Sequence, residues 1–155
     1  MKNYSKDEKW MLEAFRQAEK AYVQEEVPVG CVIVCNDVVI GRGYNLVEKL
    51  SDSTAHAEMI SITSAANYMK DWRLSDCSIY VTKEPCIMCF GAILNSRIKN
   101  LYYGVEDSEN GFKVRLVDDN YCLHHLEKIK SGIFELDCKN ILVDFFKNKR
   151  KNNKI

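Results

Sequence analysis

Apolar residues recur at helical spacing near the start of the chain, at Met11, Phe15, Ala18 and Tyr22, flanked by Trp10, Ala14 and Ala21. The spacing predicts an amphipathic, core-packing helix running to about Glu25. Its start is marked by the capping box Ser5-Lys6-Asp7-Glu8, with Ser5 as N-cap and Glu8 three residues later. Val27-Pro28-Val29-Gly30 breaks that periodicity. Cys31-Val32-Ile33-Val34-Cys35 then reads as a strand covered on both faces, since every position is apolar. Asn36-Asp37 turns the chain into Val38-Val39-Ile40-Gly41, a hairpin. Asn45 falls just past the second strand, where asparagine is ordinarily turn chemistry.

Asp52-Ser53-Thr54 offers several caps for a second long helix, continuing through Met59, Ile60, Ile62 and Ala65-Ala66. Ser78-Ile79-Tyr80-Val81-Thr82 is a short strand, and Pro85 suits the first turn of the helix after it. Ile87, Met88, Ile93 and Leu94 are core positions of that helix, and Asn100 to Val105 is the next strand. Residues from Glu106 to about Tyr121 are polar and irregular, a loop near whatever site the chain carries. Helical spacing returns from Ile133 to Phe146 through Phe134, Cys138, Ile141-Leu142 and Phe145. A hairpin followed by strands alternating with helices predicts a three-layer α/β/α arrangement, helices on both faces of the sheet. No repeat, linker or boundary interrupts it, so residues 1–155 read as a single domain.

Composition narrows the classes. Net charge is zero, so attraction to a polyanion must be local, and the densest cation cluster is the tail from Lys147 to Lys154, with five positive charges and no negative one. Such a tail is usually a solvated end, though it could hold a phosphate backbone. No apolar run approaches membrane-spanning length, and the first residues lead into a charged stretch. Seven cysteines without regular spacing suit a reducing cytoplasm better than a disulfide framework.

Two short stretches carry the chemistry. Thr54-Ala55-His56-Ala57-Glu58 is followed by Glu84-Pro85-Cys86-Ile87-Met88-Cys89, whose first cysteine stands thirty residues after the histidine, with a glutamate flanking each half. One imidazole and two thiolates make a three-ligand zinc site whose fourth position stays open, the catalytic pattern, and Glu58 stands where a carboxylate could move protons of a water there. Mid-helix residues two apart point away from each other, so His56 and Glu58 can share a site only at a first turn. A closed structural site would need a fourth cysteine, and Cys31, Cys35, Cys77, Cys122 and Cys138 are scattered, more in keeping with small buried hydrophobes. His124-His125 invites a metal reading, but with three ligands assigned these are better read as exposed or packing histidines. His-x-Glu followed by Pro-Cys-x-x-Cys is an established signature of zinc nucleobase deaminases, TadA enzymes included.

Over nearly its whole length the chain resembles the tRNA adenosine deaminases within the cytidine deaminase-like superfamily. The likeness includes Glu26-Val27-Pro28-Val29-Gly30, Gly43-Tyr44-Asn45, Trp72-Arg73-Leu74, Tyr80-Val81-Thr82, Ser96-Arg97-Ile98 and Phe145-Phe146 before basic residues. The resemblance implies a central mixed five-stranded sheet, one zinc per subunit on His56, Cys86 and Cys89, and Glu58 as proton shuttle. It implies that Asn45, Val27, Pro28 and Ala57 meet the flipped base, that Asp107 lies beside the nucleotide, and that Phe145, Phe146 and Arg150 contact a tRNA anticodon stem-loop. It also implies a homodimer, and deamination of the wobble adenosine to inosine. Ser53, Lys83 and Phe90 depart from the residues common in the family, and Ser108 to Phe112 lacks its usual Gly-Ser element. A deaminase of free guanine, cytosine or a nucleoside would share every metal residue; a non-catalytic RNA-binding subunit would be expected to lack Glu58.

Overall fold

The computed structural model describes residues 2–116 and 125–153. Its elements are α1 (Lys6–Val23), β1 (Gly30–Cys35), β2 (Val38–Tyr44), α2 (Val47–Leu50), α3 (Ala57–Met69), β3 (Cys77–Lys83), α4 (Ile87–Asn95), β4 (Asn100–Val105), α5 (Phe112–Arg115), β5 (Lys128–Lys130) and α6 (Glu135–Asn152). The strands form one mixed sheet in the order β2-β1-β3-β4-β5. β1 is antiparallel to both neighbours, whereas β3, β4 and β5 run parallel.

The continuous apolar run in β1 is explained by two cores. Cys31, Ile33 and Cys35, with Ile79, Val81, Leu101 and Tyr103, belong to one, where they join Ala57 and Ala65 of α3 and Phe90 and Ile93 of α4. Val32, Val34, Tyr80 and Tyr102 turn to the other face, toward Met11 and Ala14 of α1 and Ile133. Strand alternation thus divides a uniformly apolar sequence between two helical layers. Each large aliphatic side chain fully buried this way stabilises the fold by about 1.5–3 kcal/mol.

Local chemistry agrees with the elements. Ser5 and Glu8 make the capping box of α1, each side chain accepting from the other's backbone. Asn36 and Asp37 both have positive φ, 48° and 60°, the backbone of a type I′ turn. Gly43 lets α3 lie directly on β2, for a Cβ there would stand 2.6 Å from Ala57 O.

The structure corrects several boundaries. α1 stops at Val23, and Glu25 takes a left-handed φ of 61°. α4 starts at Ile87 rather than Pro85, because Cys86 is itself the extended N-cap. Lys147, Lys149, Arg150 and Lys151 lie in the last turns of α6, which runs to Asn152, rather than in a separate tail; Lys154 lies outside the described residues. The loop after Glu106 contains α5; its part from 117 to 121 lies outside the described residues, as does His124. His125 is exposed and meets Arg97.

Candidate active site

α3 and α4 begin side by side, and their first turns supply the chemistry. His56 is the N-cap of α3 and Cys86 the N-cap of α4; neither side chain caps its own helix. Glu58 and Cys89 sit in the turns that follow. His56 Nδ1 lies 3.6 Å from Cys86 Sγ and 3.5 Å from Cys89 Sγ. In a tetrahedral zinc site with Zn–N of about 2.0–2.1 Å and Zn–S of about 2.3 Å, neighbouring ligand atoms stand about 3.5–3.8 Å apart. The donor set therefore fits zinc in type and spacing, and among the described residues it is the one group of three His, Cys, Asp or Glu side chains gathered closely enough to hold a metal.

The protonation pattern is that of a site built for a cation. Cys86 is held down to about 3 by a hydrogen bond from Cys89 and, with burial opposing, by His56. Cys89 is pushed up by that same bond and by burial. Without a metal the two sulfurs share one proton, and a metal replaces it. Helix N-termini favour the thiolate at both positions. Burial pushes the Glu58 carboxyl up, against its own backbone N–H and the His56 charge. A carboxyl moved toward neutrality is suited to taking and returning protons.

These groups open into a cavity of about 220 Å³ lined by Val27, Val29, Asn45, Ala57, Glu58 and Lys83, among others. Of the residues expected at a base, Val27, Asn45 and Ala57 line it, with Val29 beside them, whereas Pro28 is buried and not part of the lining. Asp107 is not part of the lining: its carboxylate pairs with Lys83 and accepts from the backbone of Glu109 at 3.1 Å and Asn110 at 3.0 Å. Burial raises its pKa, but these contacts outweigh it and hold the carboxyl below its ordinary value. A second groove of about 640 Å³ adjoins the cavity, sharing Glu25, Glu26, Glu48 and Lys149 with it, and Phe145 lies there with Tyr22 and Asn148. Phe146 is 45% exposed on the same helix, and Arg150 Nε donates to its carbonyl at 3.3 Å.

Two buried carboxylates that spacing did not single out fix the walls. Glu84 accepts from Asp107 N at 2.8 Å and Lys113 N at 3.1 Å, pinning the segment between β4 and α5. Glu26 accepts from Asn45 and from the first turn of α2. Both stand inside stretches that the sequence already singles out, Glu84 before Pro85-Cys86 and Glu26 before Val27-Pro28, but their burial and their hydrogen-bond partners cannot be read there.

The fold and the His-Glu-Cys-Cys constellation define a zinc-dependent hydrolytic deaminase, and comparison agrees. Residues 4–105 match the family model of the cytidine and deoxycytidylate deaminase zinc-binding region. A protein of Haemophilus influenzae named tRNA-specific adenosine deaminase is 42% identical over 154 residues, covering 96% of this chain and 88% of that one. A chain solved in a study of A-to-I editing by tRNA:A34 deaminases at the wobble position of transfer RNA is 36% identical, with a TM-score of 0.79 over 86% of this chain and 99% of that one. Guanine deaminase from Bacillus subtilis is 37% identical with a TM-score of 0.60, over 64% of each chain. The chain belongs to the zinc-dependent cytidine and deoxycytidylate deaminase family and, within it, to the tRNA-specific adenosine deaminases.

Proposed function

We propose that this deaminase converts adenosine to inosine at the wobble position of a tRNA anticodon loop. The observation that carries the reading is continuity: the cavity holding Glu58 runs into a groove walled by α6, whose last turns bear Lys147, Lys149, Arg150 and Lys151. A base swung out of a loop can enter the cavity while its neighbours and their phosphates stay on the groove. Deamination of a free base uses the cavity alone and leaves this cationic helix without a role.

His56, Cys86 and Cys89 would hold a zinc ion, which would supply a polarised water as nucleophile. Glu58, buried beside them, would take a proton from the attacking water as its oxygen bonds to C6 of the adenine and pass it to the ring nitrogen. It would then take the proton of the hydroxyl formed at C6 and pass it to the departing amine, so one water is consumed and one ammonia leaves. Asn45 hydrogen-bonds the base, and Val27 and Ala57 pack on it. Phe145, Phe146 and Arg150 serve the flanking nucleotides, while Asp107 acts by holding Lys83 at the cavity mouth.

The functional unit is proposed to be a homodimer in the cytoplasm, each chain one domain with one zinc. Exposed Met69, Trp72 and Ile87 supply apolar surface near the ends of α3 and α4, and the six described cysteines are free. No described helix is long and apolar enough to cross a membrane. Sedimentation tests the dimer: a monomer at micromolar concentration removes it. For the reaction, tRNA with adenosine at the wobble position is incubated with the zinc-loaded protein and its nucleosides separated. Inosine should appear there, and not with Glu58→Ala; unchanged adenosine with the intact protein would count against the assignment.

A further inference from the structure

Glu26 is 1% exposed between α1 and β1, and no step above uses it. Three N–H donors converge on its carboxylate: Asn45 Nδ2 at 3.3 Å and Glu48 N at 3.2 Å reach Oε2, and Lys49 N at 2.7 Å reaches Oε1. A carboxylate so surrounded acts as an acceptor, so the Asn45 amide must turn its nitrogen toward Glu26 and its Oδ1 away. The Asn45 backbone is fixed as well, its N–H donated to Val29 O at 3.1 Å. Among the described residues nothing donates to Asn45 Oδ1. That oxygen and the second amide hydrogen remain, acceptor beside donor in one plane, on the wall of the cavity holding Glu58.

An asparagine without such a partner can present either end of its amide. We infer that Glu26 is a positioning residue for base selection, its carboxylate locking Asn45 in the one orientation that reads a donor beside an acceptor. The adenine edge with an amino group at N6 and an acceptor at N7 has that pattern, whereas guanine shows two acceptors there. The inference rests on Asn45 being the base contact proposed above. The same carboxylate also holds the start of α2, whose Val47 and Glu48 wall the cavity, so loss of activity alone would not separate orientation from packing.

A change of substrate separates them. Steady-state kcat and KM, zinc content and thermal midpoint are measured for the zinc-loaded protein and Glu26→Ala on two anticodon stem-loops, one with adenosine at the wobble position and one with 7-deazaadenosine, whose C7–H cannot accept. The wild-type protein should lose about tenfold or more in kcat/KM on the 7-deaza stem-loop, the loss of one oriented hydrogen bond. Glu26→Ala should fall on adenosine with zinc content unchanged, yet be nearly indifferent to the 7-deaza change, because the Asn45 amide is no longer held. Damage to packing alone would lower both substrates alike and keep the wild-type ratio. A Glu26→Ala protein that keeps that ratio would overturn the inference, as would a wild-type ratio near one. If Glu26→Ala fails to fold, Glu26→Leu, which fills the space but cannot accept, is read in the same way. Wild-type protein inert on the adenosine stem-loop would remove the substrate reading and this inference together, a different result from wild-type activity with an unchanged ratio in the variant.

Discussion

His56 and Cys86 occupy N-cap positions, where a side chain ordinarily turns back onto its own helix, and both turn instead toward a shared point. Three ligands cannot spare one, so Cys86→Ala or Cys89→Ala should lose the metal, measured as zinc per subunit by elemental analysis. Glu58→Ala should keep its zinc while losing turnover, since the carboxylate acts on protons; a variant that drops the metal would contradict that role. The zinc-stripped protein offers a pH test. Cys86 is depressed to about 3, so its thiolate persists through the neutral range, and its alkylation rate should stay nearly flat from about pH 8 down to pH 5. An ordinary thiol slows about tenfold per pH unit there, and Cys77 and Cys138, pushed up to about 12 by burial, should hardly react. These ligands and Glu58 were legible in the sequence because zinc imposes residue types at fixed spacing. Glu26 and Glu84 stood in the motifs, but what they hold was not legible, because it depends on burial and three-dimensional convergence, which no local pattern encodes.

Among the elements, the strands and long helices were readable from period and caps, and the short pieces were not. α2, α5 and β5 span three or four residues each, too few for a period to show. Phe90 of α4, which stands where a small residue is usual in the family, stacks on Phe112 of α5, ring centroids 4.0 Å apart and planes 6° apart. Phe112→Ala should therefore cost about 3–5 kcal/mol, roughly 6–20 °C in thermal midpoint for a chain of this size, with zinc retained. A shift below about 2 °C would show that the stack carries little. Gly111 lies under the Glu84 carboxylate, where a Cβ would stand 2.4 Å from Glu84 Cδ. Gly111→Ala should thus displace the segment Glu84 pins and destabilise by about 1–3 kcal/mol.

For the whole molecule, a net charge of zero makes placement of charge decisive. The sequence showed that the basic residues cluster, but their continuation of α6 beside the cavity depends on the packing of Phe145 against Tyr22, with rings 5.9 Å apart. Truncation after Phe146 should leave the zinc site intact yet weaken RNA binding and flatten its dependence on salt, because phosphates no longer met by these cations keep their counterions. Unchanged affinity and salt slope would place the RNA elsewhere. The central claim is that one cavity does the chemistry and the cationic helix supplies the binding energy that a lone nucleoside cannot. Its most direct test is ammonia release from an anticodon stem-loop measured beside free adenosine, guanine, cytosine and cytidine. The stem-loop should be deaminated with far the highest kcat/KM and free adenosine only poorly; equal or faster turnover of any free base or nucleoside would contradict the account.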